Sequence, residues 1–224
     1  MPKLFYTETR PLTGWRKLHD MARFYWWWWV NRFYMRLFFR LEISGEEWIP
    51  SSGSAILVSN HISYLDANII SAASPRKVSF MIAREWYEAR LINWMCRFLG
   101  CIPVNRSGQD LGAVKSALKG LSQGVLLGCF PEGGISVDGN LQEGKQGVAL
   151  IALRSGCPMI PVHLSGHCFQ SLPATFFLPK KIHIRIGKPI LLDGEDPKDR
   201  ESLARVTRRI TDAIQSLADQ VEPH

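Results

Sequence analysis

Short apolar runs alternate with amphipathic stretches along most of this chain, and the alternation predicts strands separated by helices. Ala55 to Ser59, Val78 to Ala83, Gly124 to Phe130, Met159 to Leu164 and Lys181 to Ile186 are brief and mostly apolar, the pattern of strands covered on both faces. Leu111, Val114, Leu118 and Leu121 recur at helical spacing between Gly108 and Gly124. Leu203, Val206, Ile210, Ile214 and Leu217 draw a second apolar stripe near the carboxyl end. Asp66 through Ala73 extend as a helix behind the first strand, with Ser63 as its N-cap. The predicted class is therefore α/β: a single domain over residues 45–224, its mixed, largely parallel sheet flanked by helices.

Residues 1–44 follow another pattern. Phe24 to Leu41 contains four consecutive tryptophans, Trp26 to Trp29, and three arginines at intervals of four, Arg32, Arg36 and Arg40. On a helix that interval lays a basic stripe along one side, while Phe33, Leu37, Phe38 and Leu41 cover much of the rest. Charges recur too often for a membrane-crossing stretch of about 20 apolar residues. Tryptophan favours the bilayer interface, and arginine can reach from there to phosphate head groups. The expectation is an amphipathic helical anchor lying in the membrane plane; the alternative is an aromatic helix packed on the domain or on a partner subunit. The stretch begins late, carries arginines through its apolar part and shows no small-residue cleavage site, unlike a signal peptide. A peripheral, monotopic location on the cytoplasmic face of a membrane follows. Pro173 to Pro179, with Phe176 and Phe177, reads as a loop that either touches lipid or packs over the sheet.

Composition narrows the partners. The 224 residues, 46% hydrophobic, can bury one sizeable core, and 27 Lys and Arg against 20 Asp and Glu leave a formal charge of +7. That excess favours an anionic membrane surface and acidic carrier proteins. Nucleic acid would also suit the charge, but the basic segment is too continuously apolar for a solvated RNA or DNA face and no nucleic-acid motif is present. The five cysteines, Cys96, Cys101, Cys129, Cys157 and Cys168, form no CxxC pair and read as free thiols. His163, His167 and Cys168 lie close in sequence, yet a strand does not make such a spacing converge, and no metal is expected.

The chemistry concentrates in Asn60-His61-Ile62-Ser63-Tyr64-Leu65-Asp66. A neutral imidazole can take a proton near neutral pH, and a carboxylate on its second nitrogen fixes the tautomer and steadies the imidazolium. His61 and Asp66 supply those two groups. No GxSxG elbow accompanies them, so the attacking hydroxyl or amine must arrive with a substrate. Residues five apart on a helix diverge by roughly 140°, so the pair can meet only if the motif straddles a strand exit and a helix start. Gly139 to Lys145 spells GxxxxGK, but Gln146 follows where a nucleotide-binding P-loop needs Ser or Thr, and no strand directly precedes it.

Four blocks together resemble the glycerophospholipid acyltransferases, the enzymes that acylate glycerol phosphate and lysophosphatidic acid. NHISYLD is similar to the family's HxxxxD motif, and Gly100 to Arg106 to its segment ending in a phosphate-holding arginine. Phe130-Pro131-Glu132-Gly133 resembles the start of FPEGTRS, with Gly139, Leu141, Lys145 and Gly147 keeping the downstream pattern, and Pro158 to Val162 resembles a proline-bordered strand. The resemblance spans about Gly45 to Ile190 and implies His61 and Asp66 as catalytic residues, with Arg106, Glu132, Gly133 and Lys145 in the acceptor site. It implies acyl transfer from acyl-CoA or acyl carrier protein, as co-substrate, to the sn-2 hydroxyl of lysophosphatidic acid, giving phosphatidic acid without a resident cofactor. Gly134-Ile135 stands where the family has Thr-Arg, so one cation is missing. An acceptor without phosphate, such as a lyso-aminolipid or glycolipid, stays open for that reason, as does a membrane-bound acyltransferase-like protein without catalysis.

Overall fold

The computed structural model describes residues 15–106, 110–136, 138–166, 180–192 and 194–220. Seven strands, β1 (Glu42–Ser44), β2 (Ala55–Ser59), β3 (Val78–Ala83), β4 (Ile102–Val104), β5 (Leu126–Cys129), β6 (Met159–Ser165) and β7 (His183–Ile186), form one sheet in the order β1-β7-β6-β2-β5-β3-β4. Every neighbouring pair is parallel except β6 with β7, so the sheet is mixed and largely parallel. Seven helices accompany it among the described residues: α1 (Trp15–Phe39), α2 (Asp66–Ala73), α3 (Arg84–Glu88), α4 (Asn93–Leu99), α5 (Leu111–Ser122), α6 (Gln146–Ser155) and α7 (Arg200–Asp219).

Alternation along β2 divides the core into two layers. Ala55 and Leu57 face one side with Met35 and Phe39 of α1 and Ile69 and Ile70 of α2. Ile56 and Val58 face the other with Ala117 of α5, Ala149 of α6 and Ile210 of α7. All of β2 is buried, which is why it reads as an unbroken apolar run rather than an alternating one.

Several expectations need correction. β1 and β4 went unpredicted because each has three residues, only one of them buried between the two strands, and β4 carries Pro103, which an edge strand tolerates. Residues 42–44, grouped above with the amino-terminal segment, pair with β7. α5 forms as predicted, but its inward face is Ala113, Ala117, Gly120 and Leu121, while Leu111 is 66% exposed. Small residues let the helix lie close to the sheet, so of the predicted stripe only Leu121 is fully buried. Ser63 is not the N-cap of α2; that position belongs to Leu65, and the Ser63 hydroxyl instead accepts from the Leu65 N–H at 3.1 Å.

α1 packs one side on the domain, the second of the two readings offered for it. Met35 and Phe39 are buried and Phe24 nearly so, whereas Trp26, Trp29, Val30, Phe33 and Leu37 lie exposed along the opposite side. Arg40, at φ 46°, ends the helix and turns the chain into β1. No described helix is long and apolar enough to cross a membrane. The segment Pro173 to Pro179 lies outside the described residues, as do His167 and Cys168.

Candidate active site

Parallel strands β2 and β5 lie side by side, so the residues leaving their carboxyl ends emerge together, where open α/β sheets carry their chemistry. From β2 come Asn60 and His61. The buried Asn60 side chain donates to Leu164 O at 2.9 Å and accepts from Leu164 N–H at 2.8 Å, which pins the strand exit to β6. His61 follows on that fixed base.

The chain then turns so that Asp66, the first residue of α2, points back. Its Oδ2 lies 2.7 Å from His61 Nδ1 and accepts the peptide N–H of Ile62 at 2.7 Å and of Ser63 at 2.9 Å. Two peptide donors converging on one oxygen fix it as an acceptor, which assigns the proton of the third contact to His61 Nδ1. His61 Nε2 is then the basic nitrogen, and it has no hydrogen-bond partner among the described residues. The Asp66 side chain is fully buried, while that of His61 retains 18% exposure, enough to meet an incoming group.

From β5 come Phe130 to Gly133. The Phe130 ring stacks on the imidazole, with centroids 4.1 Å apart and planes 16° apart, and the Phe80 ring lies beyond it at 6.0 Å. Glu132 is buried, its Oε1 accepting the His61 N–H at 2.8 Å and its Oε2 the Gln142 N–H at 3.2 Å. Burial pushes its carboxyl above the usual range, against those two donors, which pull it down. His61 O in turn accepts the Ser136 N–H at 2.7 Å. The backbone of His61 is thus held on both sides by the loop between β5 and α6. Cys129, one residue earlier, offers no nucleophile, since burial pushes its thiol up to about 12.

Lys145 is the N-cap residue of α6, and its ammonium lies over Gly133: a Cβ added there would sit 2.7 Å from Nζ. Gly133 has φ +71°, which favours glycine in the turn, and a side chain there would push the flexible Lys145 side chain aside. Arg106 stands apart. It follows β4, three strands from β2 and roughly 14 Å away at ordinary strand spacing. It is half exposed, and the nearest acid is Glu85 at 3.4 Å. The structure therefore brings His61, Asp66, Glu132, Gly133 and Lys145 together and leaves Arg106 on the same sheet edge, farther out.

Phe130, Ser136, Gln142 and Asn60 were given no role from sequence, although Phe130 and Asn60 open the two quoted motifs. An asparagine directly before the histidine, at the end of a buried strand, was the available signal. The loop from Phe130 to Lys145 also removes the P-loop reading, because β5 ends at Cys129, well before Gly139. Among the described residues no cluster of His, Cys, Asp or Glu has the makings of a metal site.

A partly buried imidazole, braced by a buried carboxylate and open at Nε2, defines a protein able to take a proton from a group that another molecule brings. The chain belongs to the acyltransferase family, whose family model matches residues 40–165. It is 30% identical over 132 residues to 1-acyl-sn-glycerol-3-phosphate acyltransferase LPAT1, chloroplastic, of Arabidopsis thaliana, a match covering 58% of this chain and 37% of that one. It is 23% identical over 185 residues to the 1-acyl-sn-glycerol-3-phosphate acyltransferase of Bacillus subtilis, covering 81% and 90%. Its fold is similar to the crystal structure of PlsC, the 1-acyl-sn-glycerophosphate acyltransferase from Thermotoga maritima, with a TM-score of 0.75 at 24% identity over 95% of this chain and 86% of that one. The chain spans little more than a third of the length of the plant relatives.

Proposed function

We propose that this chain transfers a fatty acyl group from acyl-CoA or acyl carrier protein to the sn-2 hydroxyl of lysophosphatidic acid. The observation that carries the proposal is the 2.7 Å contact between His61 Nδ1 and buried Asp66, with Nε2 left open. The names of the relatives supply the acceptor. In this reading Nε2 takes the hydroxyl proton as the oxygen attacks the thioester carbonyl. The tetrahedral intermediate collapses, the C–S bond breaks, and the imidazolium returns the proton to the departing thiolate. No covalent acyl-enzyme is needed, and no cofactor enters.

Lys145 and Arg106 are the cations for the acceptor phosphate, with Gly133 shaping the space beneath Lys145. Glu132 serves first as the bracket that holds the His61 backbone. A second reading, a lysolipid acceptor without phosphate, is favoured by Ile135 in place of an arginine. The exposed apolar side of α1 is assigned to the surface of a membrane, on its cytoplasmic face. Incubating pure protein with acyl-CoA or acyl carrier protein thioesters and a panel of lysolipids, with products identified by mass, tests the whole reading. Phosphatidic acid is expected. Consumption of a different lysolipid alone would move the acceptor to the second reading, and no acylated product from any acceptor would end both. Flotation with liposomes tests the membrane assignment: replacing exposed Trp26, Trp29, Phe33 and Leu37 by serine, which spares buried Met35 and Phe39, should abolish it.

A further inference from the structure

Away from His61, a groove of about 740 Å³ opens between α1, the turn Glu46–Trp48 and the end of α2. It reaches Ala73, the last residue of α2, whereas Asp66 is the first; about 11 Å of helix separates the groove from the chemistry. Because α2 runs back from the carboxyl ends of the strands, the groove lies at the opposite edge of the sheet. It takes no part in the acyl-transfer reading.

Four charged side chains line it: Arg32, Arg36, Glu46 and Glu47. Arg32 is already engaged. Its guanidinium donates to Ala72 O at 2.9 Å and to the Glu46 carboxylate at 3.1 Å, and it lies 5.1 Å above the Trp28 ring. Arg32 and Glu46 therefore neutralise each other. Arg36 and Glu47 remain, one cation and one anion, exposed and without an ion pair to another described residue. Trp29 and Phe33, each 65% exposed, supply the aromatic wall, and Leu37 continues the apolar surface along α1.

The charge count decides which ligand fits. The whole chain carries +7, yet the groove sums to zero, so a purely anionic head group finds a repelling carboxylate for every attracting guanidinium. A head group bearing phosphate and ammonium a few ångströms apart meets one partner for each. Arginine suits the phosphate, while a carboxylate and the face of an indole suit the ammonium. We propose that this groove binds the head group of a zwitterionic phospholipid, with phosphate on Arg36, ammonium against Glu47 and the Trp29 ring, and acyl chains laid along Phe33 and Leu37.

Calorimetric titration of the full chain with dihexanoyl phospholipids below their micelle concentration tests this without a bilayer and without turnover, so it stands apart from both the anchoring and the acyl-transfer readings. Phosphatidylethanolamine and phosphatidylcholine should bind about tenfold more tightly than phosphatidylglycerol. Arg36→Gln should weaken the zwitterionic lipids by about tenfold, and Glu47→Gln should erase the preference by raising phosphatidylglycerol binding. Both side chains are exposed, so each variant should keep its fold. Equal or tighter binding of phosphatidylglycerol by the unaltered chain, or an unchanged preference in Glu47→Gln, would overturn the proposal.

Discussion

Replacing Asp66 by asparagine separates the two tasks of a carboxylate behind a histidine. Oδ2 is met by the N–H groups of Ile62 and Ser63 at 2.7 and 2.9 Å, besides His61 Nδ1 at 2.7 Å. An asparagine must place its oxygen there, because its NH2 would face two peptide donors. The tautomer is thereby preserved, and only the negative charge is lost. As Nε2 gains a proton, the imidazolium and the carboxylate lie roughly 4 Å apart between charge centres, worth about 4 kcal/mol at the effective dielectric of a protein interior. At about 1.4 kcal/mol per decade, kcat should fall on the order of a thousandfold with the acceptor KM unchanged. Thiol release from an acyl thioester, in the presence of a saturating lysolipid acceptor, measures it. A loss below about tenfold, in a variant that melts like the parent, would refute the electrostatic role of Asp66.

Three further substitutions probe how the fold supports the site. Gly128→Ala would drive a Cβ into the Phe80 ring, which backs Phe130, which in turn stacks on His61; we expect about 1–3 kcal/mol of destabilisation in urea melts and a lower kcat at unchanged KM. Glu132→Gln leaves one acceptor for two peptide donors, so a cost of about 1–3 kcal/mol should appear as a reduced kcat. A rise in acceptor KM alone would instead give Glu132 the acceptor-binding role that family resemblance implies. His163, whose buried Nδ1 has no partner among the described residues, is held down to about 4 by burial and then by Arg185. Its folded value lies below the unfolded one of about 6.5, so the stability it contributes is present above that value and is lost as pH falls from there through 4. The unaltered chain should lose about 2 kcal/mol more than His163→Gln between pH 7 and 4, after allowance for partial exposure, and parallel losses would refute the reasoning.

How much of this was legible in the sequence depended on separation along the chain. His61 and Asp66 are five residues apart, and a strand exit followed by a helix start can close that contact locally, so the pair and its geometry were both readable. The bond from the His61 N–H to Glu132 spans 71 positions, and its partner is a peptide group that carries no residue signature. Phe130 was visible within its motif, but its stacking on His61 depends on β2 and β5 being neighbours, which strand composition does not specify. The long buried strands announced themselves as short apolar runs, and α7 by its helical period. β1 and β4, at three residues each, were too short to show any period. The inward face of α5 was only partly assigned, since Leu121 lies on it as the stripe implied but Ala113, Ala117 and Gly120 do as well, and small residues leave little apolar signal.

The proposed mechanism turns on His61 Nε2, which takes the proton from the incoming hydroxyl. Single-turnover thiol release by His61→Ala, with acyl thioester and lysolipid saturating and folding checked by circular dichroism, tests it most directly. No release above the uncatalysed rate is expected from the normally folded variant. Turnover within tenfold of the unaltered chain would contradict it.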